Sequence, residues 1–121
     1  MSAAWRILVV DDDAVFADTL ACALGRRGHE VVVANTGEEA LADSTRPFHA
    51  AILDLRLGTD SGLRLIPFLK ALHPGIRILL LTGYASIATA VEAIKLGAVH
   101  YLPKPAGVDE ILQRSEERRV G

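Results

Sequence analysis

The feature that most constrains this chain is an alternation. Short apolar runs at Ile7–Val10, Val31–Ala34, Ala50–Leu55, Ile76–Leu81 and Val99–Leu102 are separated by longer stretches with helical spacing. Three of these runs are almost uniformly apolar, as strands are when both faces of a parallel sheet are covered. The stretches between them carry their own punctuation. Ala14–Arg27 ends at Gly28, a residue suited to the left-handed position past a helix C-terminus. Thr36–Ser44 opens with Thr36 and Glu39 in capping-box spacing. Ser61–His73 places Leu63, Ile66, Leu69 and Leu72 on a helical stripe and stops before Pro74. Ile87–Lys95 does the same with Ile87, Val91 and Ile94, stopping before Gly97, and a last helix starts near Val108.

Parallel strands need crossover helices, and the helices cover both faces of the sheet. The chain is therefore expected to form an α/β, flavodoxin-like, doubly wound sheet of five parallel strands in the order 2-1-3-4-5. A length of 121 residues suits one domain. The last eight residues, RSEERRVG, coincide with the translation of a common sequencing adapter. Arg114–Gly121 are accordingly read as a non-native tail, leaving residues 1–113 as the domain and its last helix truncated. The formal net charge of −2 gives no basic footprint for nucleic acid. The single cysteine, Cys22, excludes an internal disulfide and is expected to pack within its helix. The N-terminus MSAAWR does not resemble a signal peptide, and no apolar run reaches the ~20 residues of a membrane span, so a cytoplasmic location is expected.

In sheets of this type ligands bind beyond the carboxyl ends of the strands. After the first strand stand Asp11, Asp12 and Asp13; after the third, Asp54; after the fourth, Thr82 and Gly83; after the fifth, Lys104. Any one of these is ordinary, since an aspartate there is commonly a helix cap. Together they bring three carboxylates, a hydroxyl and an ammonium to one end of the sheet, on four separate loops. Carboxylates of Asp11, Asp12 and Asp54 are hard oxygen ligands suited to Mg²⁺, which would relieve their mutual repulsion. With the ion held, one carboxylate is free to act as a nucleophile, and a hydroxyl and a lysine suit the charge on an incoming phosphoryl group. Asp13 reads instead as the N-cap of the first helix. His29, His49, His73 and His100 share no metal-ligand spacing and read as solvated polar residues, while Trp5 is expected to cover the lower edge of the sheet.

These residues resemble the receiver domains of two-component response regulators. The acidic pair, the aspartate in AAILDLRLG, the LLTGYAS segment and the PKP segment all fall in order, over residues 5 to about 113. The resemblance implies that Asp54 is the phosphoacceptor and that Asp11 and Asp12 are the acidic pair, with Asp12 the direct Mg²⁺ ligand. It also implies that Arg56 gives its backbone carbonyl to the metal, that Thr82 is the switch hydroxyl and Tyr101 the aromatic switch residue, and that Lys104 pairs with the phosphoryl oxygen. Lys104–Pro105 is expected to be a cis peptide. Gly58 stands where members often have proline, and Gly83 where alanine is usual.

The stretch LTGYASIATAVEAIKLGAVHYLPKP is also similar to regulators of the RegA/PrrA/ActR type, which join a receiver to a small helix-turn-helix output domain. No such element lies in these 121 residues. The partners implied are a sensor histidine kinase and a second copy through the face of helix four, strand five and helix five, with DNA reached only through the absent output domain. On this reading the chain is a phosphoacceptor switch rather than an enzyme, with at most self-catalysed phosphotransfer and dephosphorylation. Two alternatives are set beside it. DDDAV fits the DxDx(T/V) pattern of haloacid-dehalogenase-like phosphatases, and a receiver that is never phosphorylated would be an interaction module.

Overall fold

The apolar runs become strands wherever their side chains can be buried on alternating faces. The computed structural model describes residues 4–42, 46–57, 60–82, 87–103 and 111–114. Its main sheet consists of β1 (Arg6–Val10), β2 (Glu30–Ala34), β3 (Ala50–Asp54), β4 (Arg77–Thr82) and β5 (His100–Pro103). All pairings are parallel and the order is 2-1-3-4-5. Every residue of the two central strands β1 and β3 is buried, whereas edge strand β2 is only partly covered along Glu30–Val33.

The helices follow the punctuation read in the sequence. They are α1 (Ala14–Arg26), α2 (Gly37–Ala42), α3 (Leu65–Leu72) and α4 (Ile87–Leu96), while residues 111–114 form the described part of a final helix. Gly28 at φ 93° and Gly97 at φ 114° take the left-handed positions after α1 and α4, where a side chain would be strained. Alternate residues of β1 feed two cores. Leu8 and Val10 join Leu53, Ile66, Leu69 and Ala93 beneath α2, α3 and α4. Ile7 and Val9 join Leu20, Leu24, Ile52 and Ile111 beneath α1 and the final helix. Each large aliphatic side chain so buried contributes about 1.5–3 kcal/mol.

Three expectations are corrected. The third helical segment does not begin at Ser61. Arg56–Leu57 and Asp60–Ser61 form a short antiparallel ribbon, and a 3₁₀ turn at Gly62–Arg64 precedes α3. The Gly62 N–H donates to the Leu55 carbonyl at 2.7 Å, closing this loop at a point that a helix from Ser61 would not allow. Cys22 is exposed, because the inward stripe of α1 is Ala17, Leu20 and Leu24.

The histidines are not simply solvated. His73 is buried, and its Nδ1 accepts the Phe48 N–H at 3.4 Å. His29 Nδ1 accepts the Trp5 N–H at 3.0 Å, and His49 Nδ1 accepts the Arg6 N–H at 2.9 Å. These bonds satisfy main-chain donors at the N-terminal edge of the sheet. Trp5 stacks on His49 there, with centroids 6.5 Å apart, covering the lower edge as expected. Arg6 lies over the Phe48 ring and donates to Glu30 at 3.1 Å; Arg46 also pairs with Glu30. The Arg6 hydrogen bond holds the exposed Glu30 carboxyl below its ordinary range, helped by the Arg46 charge and opposed by desolvation.

Candidate functional site

Strand register brings the polar residues together. Val10 pairs with Leu53, Asp54 with Leu81, and Thr82 with Pro103. Continuing the β1–β3 register by one residue sets Asp11 level with Asp54, and Thr82 stands one step beyond that level on the next strand. Adjacent strands lie only about 4.8 Å apart, so three loops that are distant in sequence open onto one crevice.

Carboxylate oxygens of Asp11, Asp12 and Asp54 lie within 4.8 Å of one another. Asp11 is 2% exposed, Asp54 8% and Thr82 1%, while Asp12 is open to solvent. At this separation each pair of ionised carboxylates repels by on the order of 3 kcal/mol in a protein-like dielectric. A cation removes that cost, and the span suits a small one. Oxygens bound at about 2.1 Å to Mg²⁺ lie about 3 Å apart when adjacent and about 4.2 Å when opposite, so only a small contraction is required. The pocket has the geometry and the charge to hold a divalent ion and to receive the oxygens of a phosphoryl group beside it.

Several local bonds shape this pocket. Asp13 is the N-cap of α1, its Oδ1 accepting the Phe16 N–H at 3.1 Å. The Asp11 side chain accepts the Asp13 N–H at 2.9 Å, so the first aspartate turns the chain that presents Asp12. The Leu55 N–H donates to the Leu81 carbonyl at 2.9 Å, anchoring the residue after Asp54 to β4.

The remaining predicted residues fall as follows. Arg56 lies two residues after Asp54, at the start of the short ribbon, paired with Ser61. Tyr101 is in the middle of edge strand β5 and packs against the core shared by α3 and α4. Its hydroxyl has no hydrogen-bond partner among the described residues. Lys104, Pro105, Gly58 and Gly83 lie outside the described residues, as does the tail from residue 115.

Two residues at this pocket escape the sequence reading. Gly62 is pressed onto the peptide that follows Asp54: a Cβ there would stand 2.1 Å from the Asp54 carbonyl oxygen. Asn35, just past β2, donates its side-chain N–H to the Asp11 carbonyl at 2.9 Å. Neither has a local signature, for a glycine in a loop and an asparagine after a strand both read as turn residues.

Comparison with known proteins agrees with this geometry. The family described as "Response regulator receiver domain" matches residues 7–116. The chain is 47% identical over 117 residues to the acid tolerance regulatory protein ActR of Sinorhizobium medicae, covering 93% of this chain and 60% of that protein. It is 42% identical to the photosynthetic apparatus regulatory protein RegA of Rhodobacter capsulatus, covering 87% of this chain and 58% of that protein. The chain thus spans under two thirds of the length of these relatives. Among solved structures, a response regulator from Burkholderia pseudomallei with a phosphorylated aspartic acid, calcium ion and citrate superposes with a TM-score of 0.89 at 52% identity, covering 93% of this chain and 66% of that one. The beryllofluoride-activated NtrC4 receiver domain dimer superposes with a TM-score of 0.84 at 33% identity, covering 92% and 93%.

Proposed function

Because this chain belongs to the response regulator receiver domain family, we propose that it is a phosphorylation switch whose acceptor is the Asp54 carboxylate. One observation carries the reading: Asp11, Asp12 and Asp54 gather their oxygens within 4.8 Å at the carboxyl ends of buried parallel strands. An Asp54 oxygen attacks the phosphorus of a sensor kinase's phosphohistidine. The new P–O bond makes an acyl phosphate, the P–N bond breaks, and the departing imidazole nitrogen takes its electron pair and picks up a proton.

The group that Asp11, Asp12, Asp54 and the Arg56 carbonyl would hold is Mg²⁺. Once bound, it supplies positive charge that offsets the carboxylates and the phosphoryl oxygens. Asp12, the exposed member of the cluster, would hold it most directly through its side chain. Thr82 donates its hydroxyl to a phosphoryl oxygen, and the Lys104 ammonium pairs with another. Drawing Thr82 toward the phosphoryl frees space for Tyr101 to turn inward, which biases the face made by α4, β5 and the final helix between two arrangements. That face is proposed to pair with a second copy; the activated NtrC4 receiver, a dimer, supports this. The greater length of ActR and RegA supports a further domain beyond the receiver, which this reading makes a DNA-binding output domain in a cytoplasmic protein.

The test is acetyl phosphate with Mg²⁺. The parent protein gains one phosphoryl per chain, visible by intact mass and removed by hydroxylamine, and Asp54→Asn gains none. Undiminished labelling of Asp54→Asn would refute the acceptor.

A further inference from the structure

The acidic pair has a support that its own strand does not provide. The β1–β2 ladder runs through Val10↔Ala34, and the Asp11 N–H still donates to the Ala34 carbonyl at 3.0 Å. Beyond that rung β2 ends, because its chain turns into α2. A continuing β2 would offer the Asp11 carbonyl a main-chain donor at the next rung. The Asn35 side chain takes the donor's place: its amide reaches back over 24 residues to that carbonyl at 2.9 Å. An asparagine serving only its own turn would bond to main chain a residue or two away. The neighbouring capping bonds serve the start of α2, with Glu39 Oε1 accepting the Asn35 N–H at 2.8 Å and Thr36 Oγ1 accepting the Glu39 N–H at 3.1 Å. Asp11 is therefore held by hydrogen bonds at both its main-chain N–H and its carbonyl, immediately before the exposed carboxylate of the cluster.

We infer that Asn35 is a positioning residue of the cation pocket, which adds a side-chain rung to the β1–β2 ladder and so fixes the orientation of the Asp11–Asp12 peptide. The inference rests on the proposed Mg²⁺ role of the acidic pair. Without the rung, the Asp11–Asp12 peptide loses one of the bonds that fix it and gains rotational freedom. Holding the Asp12 carboxylate in place then costs entropy on each binding event. Losses of about 10-fold in metal affinity are the ordinary consequence of removing such an outer support.

The experiment is a Mg²⁺ titration of the folded protein followed by amide NMR, with stability measured in parallel without metal. Asn35→Ala and the similarly sized Asn35→Leu are expected to raise the Mg²⁺ dissociation constant about 10-fold. Asn35→Gln, which keeps an amide donor, recovers most of that loss. Thr36→Ala, which removes a cap bond of α2 but leaves the Asn35 amide, is expected to lower stability with Mg²⁺ affinity unchanged. Unchanged affinity in Asn35→Ala beside weakened binding in Asp12→Ala overturns the role of Asn35 and leaves the pocket reading intact. An equal loss of affinity in Thr36→Ala also overturns it, because the effect would then be general to α2. Unchanged affinity in Asp12→Ala overturns the pocket reading itself.

Discussion

Gly62→Ala puts the relation between the loop and the acceptor to the hardest test. The added Cβ would stand 2.1 Å from the Asp54 carbonyl oxygen and 3.1 Å from its carbonyl carbon. Real Cβ contacts essentially never fall under 3.0 Å, so backbone must separate by at least 3.0 − 2.1 = 0.9 Å. Nothing flexible can absorb this, since the opposing atoms are main chain in a strand paired with β4. Overpacking of this kind costs about 1–3 kcal/mol of stability. A displacement near 1 Å at a reacting group can cost on the order of 100-fold in rate. The expected result is a folded but weakened protein whose phosphorylation by acetyl phosphate, normalised to the folded fraction in urea melts, is slower by roughly that factor. Parent-like stability together with a parent-like rate would refute the claim that Gly62 sets the position of Asp54.

Three further outcomes are expected. Asp12→Ala weakens Mg²⁺ binding by 10-fold or more, measured by calorimetry, whereas an Asp13→Asn exchange keeps an N-cap acceptor and leaves binding nearly unchanged. Lys104→Ala still binds Mg²⁺ but no longer changes its amide spectrum at Tyr101 when beryllofluoride is added; a full response would remove Lys104 from the switch. Glu30, whose carboxyl sits below its ordinary value of 4.5 in the folded state, contributes stability above that pH and loses it as pH falls through the lower folded value. Glu30→Gln is therefore less stable than the parent at neutral pH and matches it in strong acid, with a small difference because the Glu30 carboxyl is exposed.

Much of this was legible because the signals are local. Uniform runs such as ILVV and LLLT announce two-sided burial, and Gly28 and Gly97 stand where left-handed backbone is required. Asp11, Asp12, Asp54 and Thr82 were found by their place directly after strands, which a parallel sheet turns into spatial proximity. His73 was misread, although it caps α3 in line with the buried stripe of Ile66 and Leu69 and so carried a burial signal. Cys22 was misread for the converse reason, lying off the stripe Ala17, Leu20 and Leu24. The ribbon before α3 was hidden because Leu63 matches the helical period by chance. Gly62 and Asn35 act through partners fixed by tertiary register, one against the Asp54 peptide and one on Asp11, and spacing along the chain does not encode such partners.

On the proposed function, one aspartate at a shared cation pocket takes up the phosphoryl group. Treating the protein with acetyl phosphate, reducing it with borohydride and mapping its peptides converts any aspartyl phosphate into homoserine at an identifiable position. Homoserine is expected at residue 54 alone, formed with Mg²⁺ and absent in chelator. Homoserine at Asp11, Asp12 or Asp13, or equal conversion at Asp54 without metal, would contradict it.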